Sequence, residues 1–280
     1  PIPSDDLEWA TVSDSRGTEL QGVKTVSFDE DASALFATHK NGAVLKWDWR
    51  LGKFETFIPE DKDKNDMIHA VLCVGSVLWV SSGKGKIILY DTETRKVLTK
   101  VVGHTAEIFC MVKVSGAADA RVITGSIDFV VKVWDEDAML VSHSAHHHGA
   151  ILCAIQWRSE SDEDPPQIWT GSNDGSVFRW NDGDRNGKVD KEEGTTLRHS
   201  TSEAVTCLEQ VDGYVWAGTE RGKLVIFDPV EEDPVCEIPA HKERISSVRA
   251  MGRAAWSAGS DKVIFGWSSK TLPVRPKLLY

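Results

Sequence analysis

Residues 103–135 read GHTAEIFCMVKVSGAADARVITGSIDFVVKVWD. A Gly-His pair, Gly103-His104, opens the stretch, and an apolar run from Ile108 to Val114 follows. After a loop, a second run ends in ITGS at Ser126, a tight turn is centred on Asp128, and a third run closes on Trp134-Asp135. The runs are short, rich in β-branched and aromatic residues and bounded by Gly, Ser and Asp. They predict antiparallel strands joined by tight turns.

The stretch recurs. Its closing pair of an aromatic and a small or polar residue appears as Trp47-Asp48, Tyr90-Asp91, Trp134-Asp135, Trp180-Asn181, Phe227-Asp228 and Trp267-Ser268, at spacings of 43, 44, 46, 47 and 40 residues. A second marker keeps the same phase, an apolar residue shortly before a Gly or Ser step, in LFAT, LWVSSG, VITGS, IWTGS, VWAGT and AWSAG. A fixed period of this size is the signature of a repeat architecture. A lone four-stranded sheet cannot bury both faces, whereas six such sheets packed radially cover one another and leave only short edges.

The Gly-His opening, the [ST]-G-S-x-D turn and the terminal Trp-Asp resemble the WD-repeat β-propeller family over roughly residues 23 to 270. The resemblance implies an all-β, six-bladed propeller of four-stranded antiparallel blades, bounded at 23–57, 58–102, 103–145, 146–200, 201–240 and 241–280. It also implies a hydrogen-bonded tetrad within a blade. Carried over residue by residue, the tetrads are His104, Thr124, Asp128 and Trp134; His147, Thr170, Asp174 and Trp180; and His241, Ser257, Asp261 and Trp267. The other three units depart from the pattern, with Asn41, Lys84 and Arg221 at the turn position and no Gly-His pair in place. Their polar networks are expected to be incomplete.

Residues 23–280 therefore read as one propeller domain. Residues 1–22 precede it and carry an alternation at Leu7, Trp9 and Thr11. That segment reads either as an extra outer strand closing the last blade or as an unstructured lead-in. The opening PIPSDDLEW, with no initiator Met, points to a piece of a longer protein.

Most of the eleven Trp fall into two phases of the repeat, Trp79, Trp169, Trp216 and Trp256 in one and Trp47, Trp134, Trp180 and Trp267 in the other. They are expected to be packing residues. Cys73, Cys110, Cys153 and Cys207 recur at nearly one place inside the first apolar run of four units, where a free thiol behaves as a small hydrophobe. No metal spacing of the C-x-x-C kind and no N-x-[ST] sequon occurs, which favours a reducing compartment, cytoplasmic or nuclear. No apolar run is long enough for a membrane span.

The net charge is −11 and the acids are scattered, with no cluster of Lys and Arg of the kind that neutralises a nucleic-acid backbone. Nucleic acid is not an expected partner. Protein or peptide partners, basic ones above all, suit such a field. The turns that follow the second strand of each unit supply candidate partner-binding residues: Lys40, Lys84, Ile127, Phe129, Asn173, Arg221 and Ser260. Phe129 sits where the family places small or polar residues, and either projects as a hot spot or folds back over its blade.

Two clusters could hold a metal. His143, His146, His147 and His148 are crowded, and read either as a transition-metal site or as a loop around the tetrad His147. The run from Asp182 to Glu193, DGDRNGKVDKEE, fits the calcium-loop pattern D-x-[DN]-x-[DN]-G-x₅-E. Asp182, Asp184, Asn186, the carbonyl of Lys188, Asp190 and Glu193 would supply the oxygens, with Gly187 at the bend. Strand-like runs, VFRWN and TTLRH, flank it in place of helices. It reads either as an EF-hand-like calcium loop inserted between two strands or as an acidic hairpin.

Ser, His and Asp recur together, but three times and each time with a Trp at a fixed offset, which marks a structural network and not one nucleophile. Ser82 to Lys86 and Gly218 to Lys223 do not fit a phosphate-binding loop. The expected function is a non-enzymatic protein-interaction scaffold. Two alternatives stand beside it: a regulatory propeller of a larger signalling enzyme, similar in phrasing to those preceding inositol polyphosphate phosphatase domains, and a coat or complex scaffold subunit.

Overall fold

The computed structural model describes residues 23–29, 34–39, 42–48, 52–59, 67–114, 121–159, 166–181, 197–201, 203–229, 234–251 and 254–268. The expectations for residues 1–22, for Lys40 and Asn41, and for the whole acidic loop from Asp182 to Glu193 lie outside these residues.

The described chain is all β, in six sheets. The first holds β1 (Val23–Asp29), β2 (Ala34–His39), β3 (Val44–Asp48) and β4 (Lys53–Ile58). The second holds β5 (Val71–Val74), β6 (Val77–Ser81), β7 (Lys86–Asp91) and β8 (Val97–Val102). The third holds β9 (Ile108–Val114), β10 (Arg121–Ser126), β11 (Val131–Trp134) and β12 (Leu140–Ser144). The fourth holds β13 (Ile151–Trp157), β14 (Gln167–Ser172), β15 (Ser176–Asn181) and β16 (Leu197–Ser200). The fifth holds β17 (Val205–Val211), β18 (Tyr214–Thr219), β19 (Lys223–Phe227) and β20 (Pro234–Pro239). The sixth has three strands among the described residues, β21 (Ile245–Met251), β22 (Ala254–Gly259) and β23 (Ile264–Ser268). Within each sheet the strands pair in chain order, and no sheet closes on itself among the described residues. No helix there is long and apolar enough to cross a membrane.

The chain divides into two compact units, Pro1–Gly83 with Ile88–Leu98, and Lys84–Ile87 with Thr99–Tyr280. In the first unit, Phe36, Val44 and Phe57 pack with Val71, Leu78 and Val80. The Phe57 ring stands edge-on to Phe36, with centroids 5.1 Å apart.

In the second unit, each pair of successive sheets shares an apolar layer built by one local device. The first hairpin carries a register shift near the start of its first strand, at Gly125/Ser126, Ile151/Cys153, Val205/Cys207 and Ile245/Ser247. Such a bulge re-aims a side chain. Here the residue at the strand start, Ile151, Val205 or Ile245, is wholly buried over a glycine of the preceding sheet. A Cβ on Gly125 would meet Ile151 Cγ2 at 2.5 Å and Cys110 Sγ at 2.7 Å. On Gly171 it would meet Val205 Cγ1 at 2.6 Å and Cys153 Sγ at 2.7 Å, and on Gly218 Cys207 Sγ at 2.6 Å and Ile245 Cγ2 at 2.7 Å. The recurrent Gly step and the recurrent Cys are thus two parts of one socket. Its plug is written in the next repeat.

Two sequence expectations change. Cys110, Cys153 and Cys207 lie opposite Gly125, Gly171 and Gly218, but Cys73 pairs with Leu78 and its thiol faces the Gly75 carbonyl at the hairpin end. Cys73 lies further along its hairpin, beyond the residue that pairs with Trp79, and so falls out of phase with the others. Of the four tryptophans in one phase, Trp79, Trp169 and Trp216 are 1%, 2% and 0% exposed, whereas Trp256 is 44% exposed.

Candidate functional site

The third sheet shows how a tight turn is fixed. His104 precedes β9, Thr124 lies in β10 and Trp134 ends β11. His104 Nε2 is 2.7 Å from Thr124 Oγ1, which also accepts the Trp134 indole N–H at 2.9 Å. His104 Nδ1 lies 2.9 Å from Asp128 Oδ2 and 3.0 Å from Oδ1. Asp128 also accepts the amides of Thr105 at 3.0 Å and Val130 at 3.1 Å and the Thr105 hydroxyl at 3.4 Å. Counting donors and acceptors assigns the protons. The carboxylate can only accept, so Nδ1 carries the hydrogen, Nε2 accepts from the threonine, and the threonine oxygen accepts from the indole. No buried polar atom of the set is left over.

The sixth sheet repeats this arrangement. His241 Nδ1 lies 3.0 Å from Asp261 Oδ1, its Nε2 lies 2.8 Å from Ser257 Oγ, and Trp267 donates to the same Oγ at 2.8 Å.

The fourth sheet brings the same residue types together by a longer route. His147 Nε2 meets Thr170 Oγ1 at 2.8 Å and Trp180 donates to that oxygen at 2.9 Å. His147 Nδ1, however, meets Ser176 Oγ at 2.6 Å, and the Ser176 hydroxyl in turn donates to Asp174. Asp174 also accepts the amides of Ser176 at 2.7 Å and His148 at 2.6 Å. The cause lies two residues past the aspartate. Ser176 stands where the other sheets have Val130 and Val263, and its hydroxyl takes the place of a direct contact.

Burial alone would raise the Asp128 carboxyl. The hydrogen bonds from His104, Thr105 and Val130 outweigh it and hold the group at about 2. Asp174 is likewise at about 2, burial being outweighed by the Ser176 hydroxyl and amide and the His148 amide. In Asp261 the Lys242 amide and His241 outweigh desolvation and keep the carboxyl below its ordinary value.

The fifth sheet uses different residues, which the sequence pattern did not single out. The Thr219 hydroxyl donates to Glu203 Oε2 at 2.8 Å, the Lys223 amide donates to Thr219 Oγ1 at 3.0 Å, and Lys223 Nζ lies 3.4 Å from Glu203 Oε1. Arg221 remains exposed at the turn. The legible signal was the co-occurrence of Glu203 and Lys223 in the unit whose turn had lost its aspartate.

These networks brace one turn in each of the third to sixth sheets, and the second sheet has the corresponding turn at Lys84. The residue after Lys84, Asp128, Asp174, Arg221 or Asp261 has a left-handed backbone: Gly85 (φ 69°), Phe129 (φ 69°), Gly175 (φ 81°), Gly222 (φ 86°) and Lys262 (φ 65°). At Gly85, Gly175 and Gly222 a Cβ would run into the backbone carbonyls of His104, Thr201 and His241. Phe129 takes the same conformation with a large side chain that is 43% exposed. Positive φ is uncommon for a non-glycine residue and an outlier for a bulky one. Lys84, Asn173, Arg221 and Ser260 are exposed on their turns and Ile127 is half-buried.

The crowded histidines are spread over different tasks. His146 Nδ1 meets Ser144 Oγ at 2.6 Å while His147 serves the sheet network, and no group of metal-ligating side chains forms among the described residues. Thr124, Thr170 and Ser257, the hydroxyls beside a histidine, are at most 1% exposed and already bonded to His and Trp. A hydroxyl so placed cannot reach a substrate. Burial pushes the Cys110 thiol up to about 12 and Cys207 to about 11, and raises Cys153 as well, so these thiols are not nucleophiles at neutral pH.

No protein-family model matches the chain. It is similar to the WD repeat-containing protein 55 homolog of Dictyostelium discoideum, at 24% identity over 208 residues. The match covers 73% of this chain and 46% of that protein, so the chain spans about half the length of the curated relative it matches. Among solved structures it is similar to the crystal structure of the computationally designed Ika8 protein, with a TM-score of 0.66 at 17% identity, covering 90% of this chain and 75% of that one. Six sheets of three or four strands, repeated at one period, are consistent with a propeller-like repeat fold, and the sequence similarity lies with a WD-repeat protein.

Proposed function

We propose that the chain is a six-bladed WD-repeat-like propeller that serves as a non-enzymatic platform for protein or peptide partners. The docking surface is formed by the turns carrying Lys84, Ile127, Phe129, Asn173, Arg221 and Ser260. The observation that carries this reading is Phe129, an exposed aromatic held in a left-handed conformation that three sister turns give to glycine. Conformational cost of this kind is concentrated where a side chain has a task at the surface, and exposed aromatics are the usual anchors of interfaces. The net charge of −11 favours basic partners. In the same reading, Asp182, Asp184, Asn186, Lys188, Asp190 and Glu193, which lie between β15 and β16 in the sequence, bind calcium.

The test is capture of partners on immobilised protein, comparing the wild type with Phe129→Ala and Arg221→Glu. Loss of the same bound protein from both variants supports the reading. Undiminished capture by both moves the binding surface off these turns.

A further inference from the structure

A strand at the edge of a sheet offers its outer backbone groups to any passing chain, and proteins blunt such edges with charges or proline. Of the outer strands, β4 carries Lys53 and Glu55, β8 carries Lys100, β16 carries Arg198, and β20 sets Glu237 between Pro234 and Pro239. β12, LVSHS, has no proline, lysine, arginine or acid, although it too ends its sheet. It lies with the rest of the third sheet inside the second compact unit.

The hairpin leading into β12 is braced, and its tip is apolar. Asp135 Oδ1 accepts the amides of Asp137 at 3.1 Å and Met139 at 2.8 Å, and the Asp135 amide donates to the Met139 carbonyl at 3.1 Å. Ala138, within this loop, takes a left-handed backbone (φ 60°) and is buried. The second sheet builds the same hairpin, with the Asp91 amide on the Lys96 carbonyl at 2.9 Å, and the first sheet sets Lys53 opposite Asp48. Met139 therefore stands where the sister hairpins place a lysine. It is 64% exposed, and Leu140, the first residue of β12, is 47% exposed. Beside them Asp135, Glu136 and Asp137 form no ion pair among the described residues.

We infer that the outer edge of the third sheet is a strand-addition site for an extended, basic segment of a partner protein. β12 supplies the backbone ladder, and Met139 and Leu140 supply apolar contact. Asp135, Glu136 and Asp137 select Lys or Arg at the end of the segment that lies beside the tip. The flexible Met139 thioether adapts to the apolar side chain it meets. The braced tip leaves little to order on binding. Charge argues against a second copy as the occupant, since each copy brings the same acidic tip and a net charge of −11. This edge is separate from the turns proposed for partner docking and does not rest on that reading.

The test titrates a short peptide of alternating valine and threonine, ending in lysines, into the full chain and follows amide hydrogen exchange. Binding is expected to slow exchange in β12. Ending the peptide in glutamates weakens binding by about tenfold or more. Methylating alternate backbone nitrogens of the peptide, which spares its side chains and removes the ladder, does the same. Met139→Lys, which restores the sister residue, and Leu140→Lys each weaken binding to a similar extent. Glu136→Lys with Asp137→Lys reverses the preference in favour of the glutamate peptide. All four positions are exposed, and unchanged circular dichroism identifies variants that keep the fold. Phe129→Ala leaves the binding as it is, which separates this edge from the docking turns. β12 amides as slow in the free chain as those of β11, whether through self-association or cover by another part of the chain, overturn the proposal. So does a peptide that fails to bind, one that binds as well when methylated, or a charge-reversed variant that keeps the wild-type preference.

Discussion

The indole N–H of Trp134 reaches the Thr124 hydroxyl on the neighbouring strand, 2.9 Å away, and that oxygen is the point at which the third sheet's turn is tied to its core. Thr124→Val leaves His104 Nε2 and the Trp134 N–H unpaired in a buried site. Each orphaned group costs about 1–3 kcal/mol. Thr124→Ser keeps the oxygen and is expected to lose much less. Urea unfolding of the two variants at one pH measures the difference.

Acid should loosen the braced turns. Asp128 and Asp174 titrate at about 2 in the folded chain against an ordinary 3.8. Between those values the unfolded chain binds more protons, so stability rises with pH there. The contribution is complete above the unfolded value and disappears as pH falls through the folded one. The thermal midpoint is expected to drop from about pH 4 toward about pH 2. Asp128→Asn should flatten that drop while lowering stability near neutrality.

Two glycines separate backbone preference from close packing. Gly213 (φ 83°) and Gly222 (φ 86°) share a left-handed conformation, but a Cβ on Gly213 meets nothing within 4 Å and one on Gly222 strikes the His241 carbonyl. Gly213→Ala is expected to cost about 1–2 kcal/mol, the left-handed penalty alone. Gly222→Ala should cost clearly more, because backbone and not a pliable side chain has to move. Paired denaturation curves read the gap directly.

Thiol labelling should report the sockets. Cys110 at about 12, Cys207 at about 11 and the similarly raised Cys153 hold almost no thiolate near neutrality. Iodoacetamide at mild alkaline pH is expected to leave all three unmodified in the native protein and to alkylate them after denaturation, read by peptide mass spectrometry. Native labelling at Cys153 would show that the joint between the fourth and fifth sheets opens readily.

Calcium binding to the acidic loop is checked by titration calorimetry on the wild type and on a chain carrying Asp182→Ala with Glu193→Ala. Heat of binding in the first and none in the second is the expected result.

The sheets were legible from the chain because the repeat is marked twice, by the closing aromatic pair and by the glycine step. The glycine step follows from packing, since in the third to fifth sheets it makes room for the first residue of the next sheet. Ser176 was not legible as a bridge, since a Ser two positions past Asp174 carries no sign of which atom its hydroxyl will meet. Glu203 and Lys223 were missed for a related reason: they replace the turn network with a different chemistry, and only the register of β18 against β17 brings Thr219 beside Glu203. Cys73 misled because its place in an apolar run does not reveal which residue of the next strand it will pair with. Trp256 misled because a residue type at one phase of the repeat does not fix its burial, and this one is exposed.

The socket of Gly125 and Cys110 is filled by Ile151, and the socket of Gly171 and Cys153 by Val205. Lock and key therefore always come from consecutive units, so the sheet is the visible module but not the exchangeable one. A protein engineer who duplicates or transplants one unit, cut at its sheet boundaries, separates every key from its lock. Cuts placed inside a sheet, between its first strand and its glycine strand, keep each glycine with the residue that packs on it.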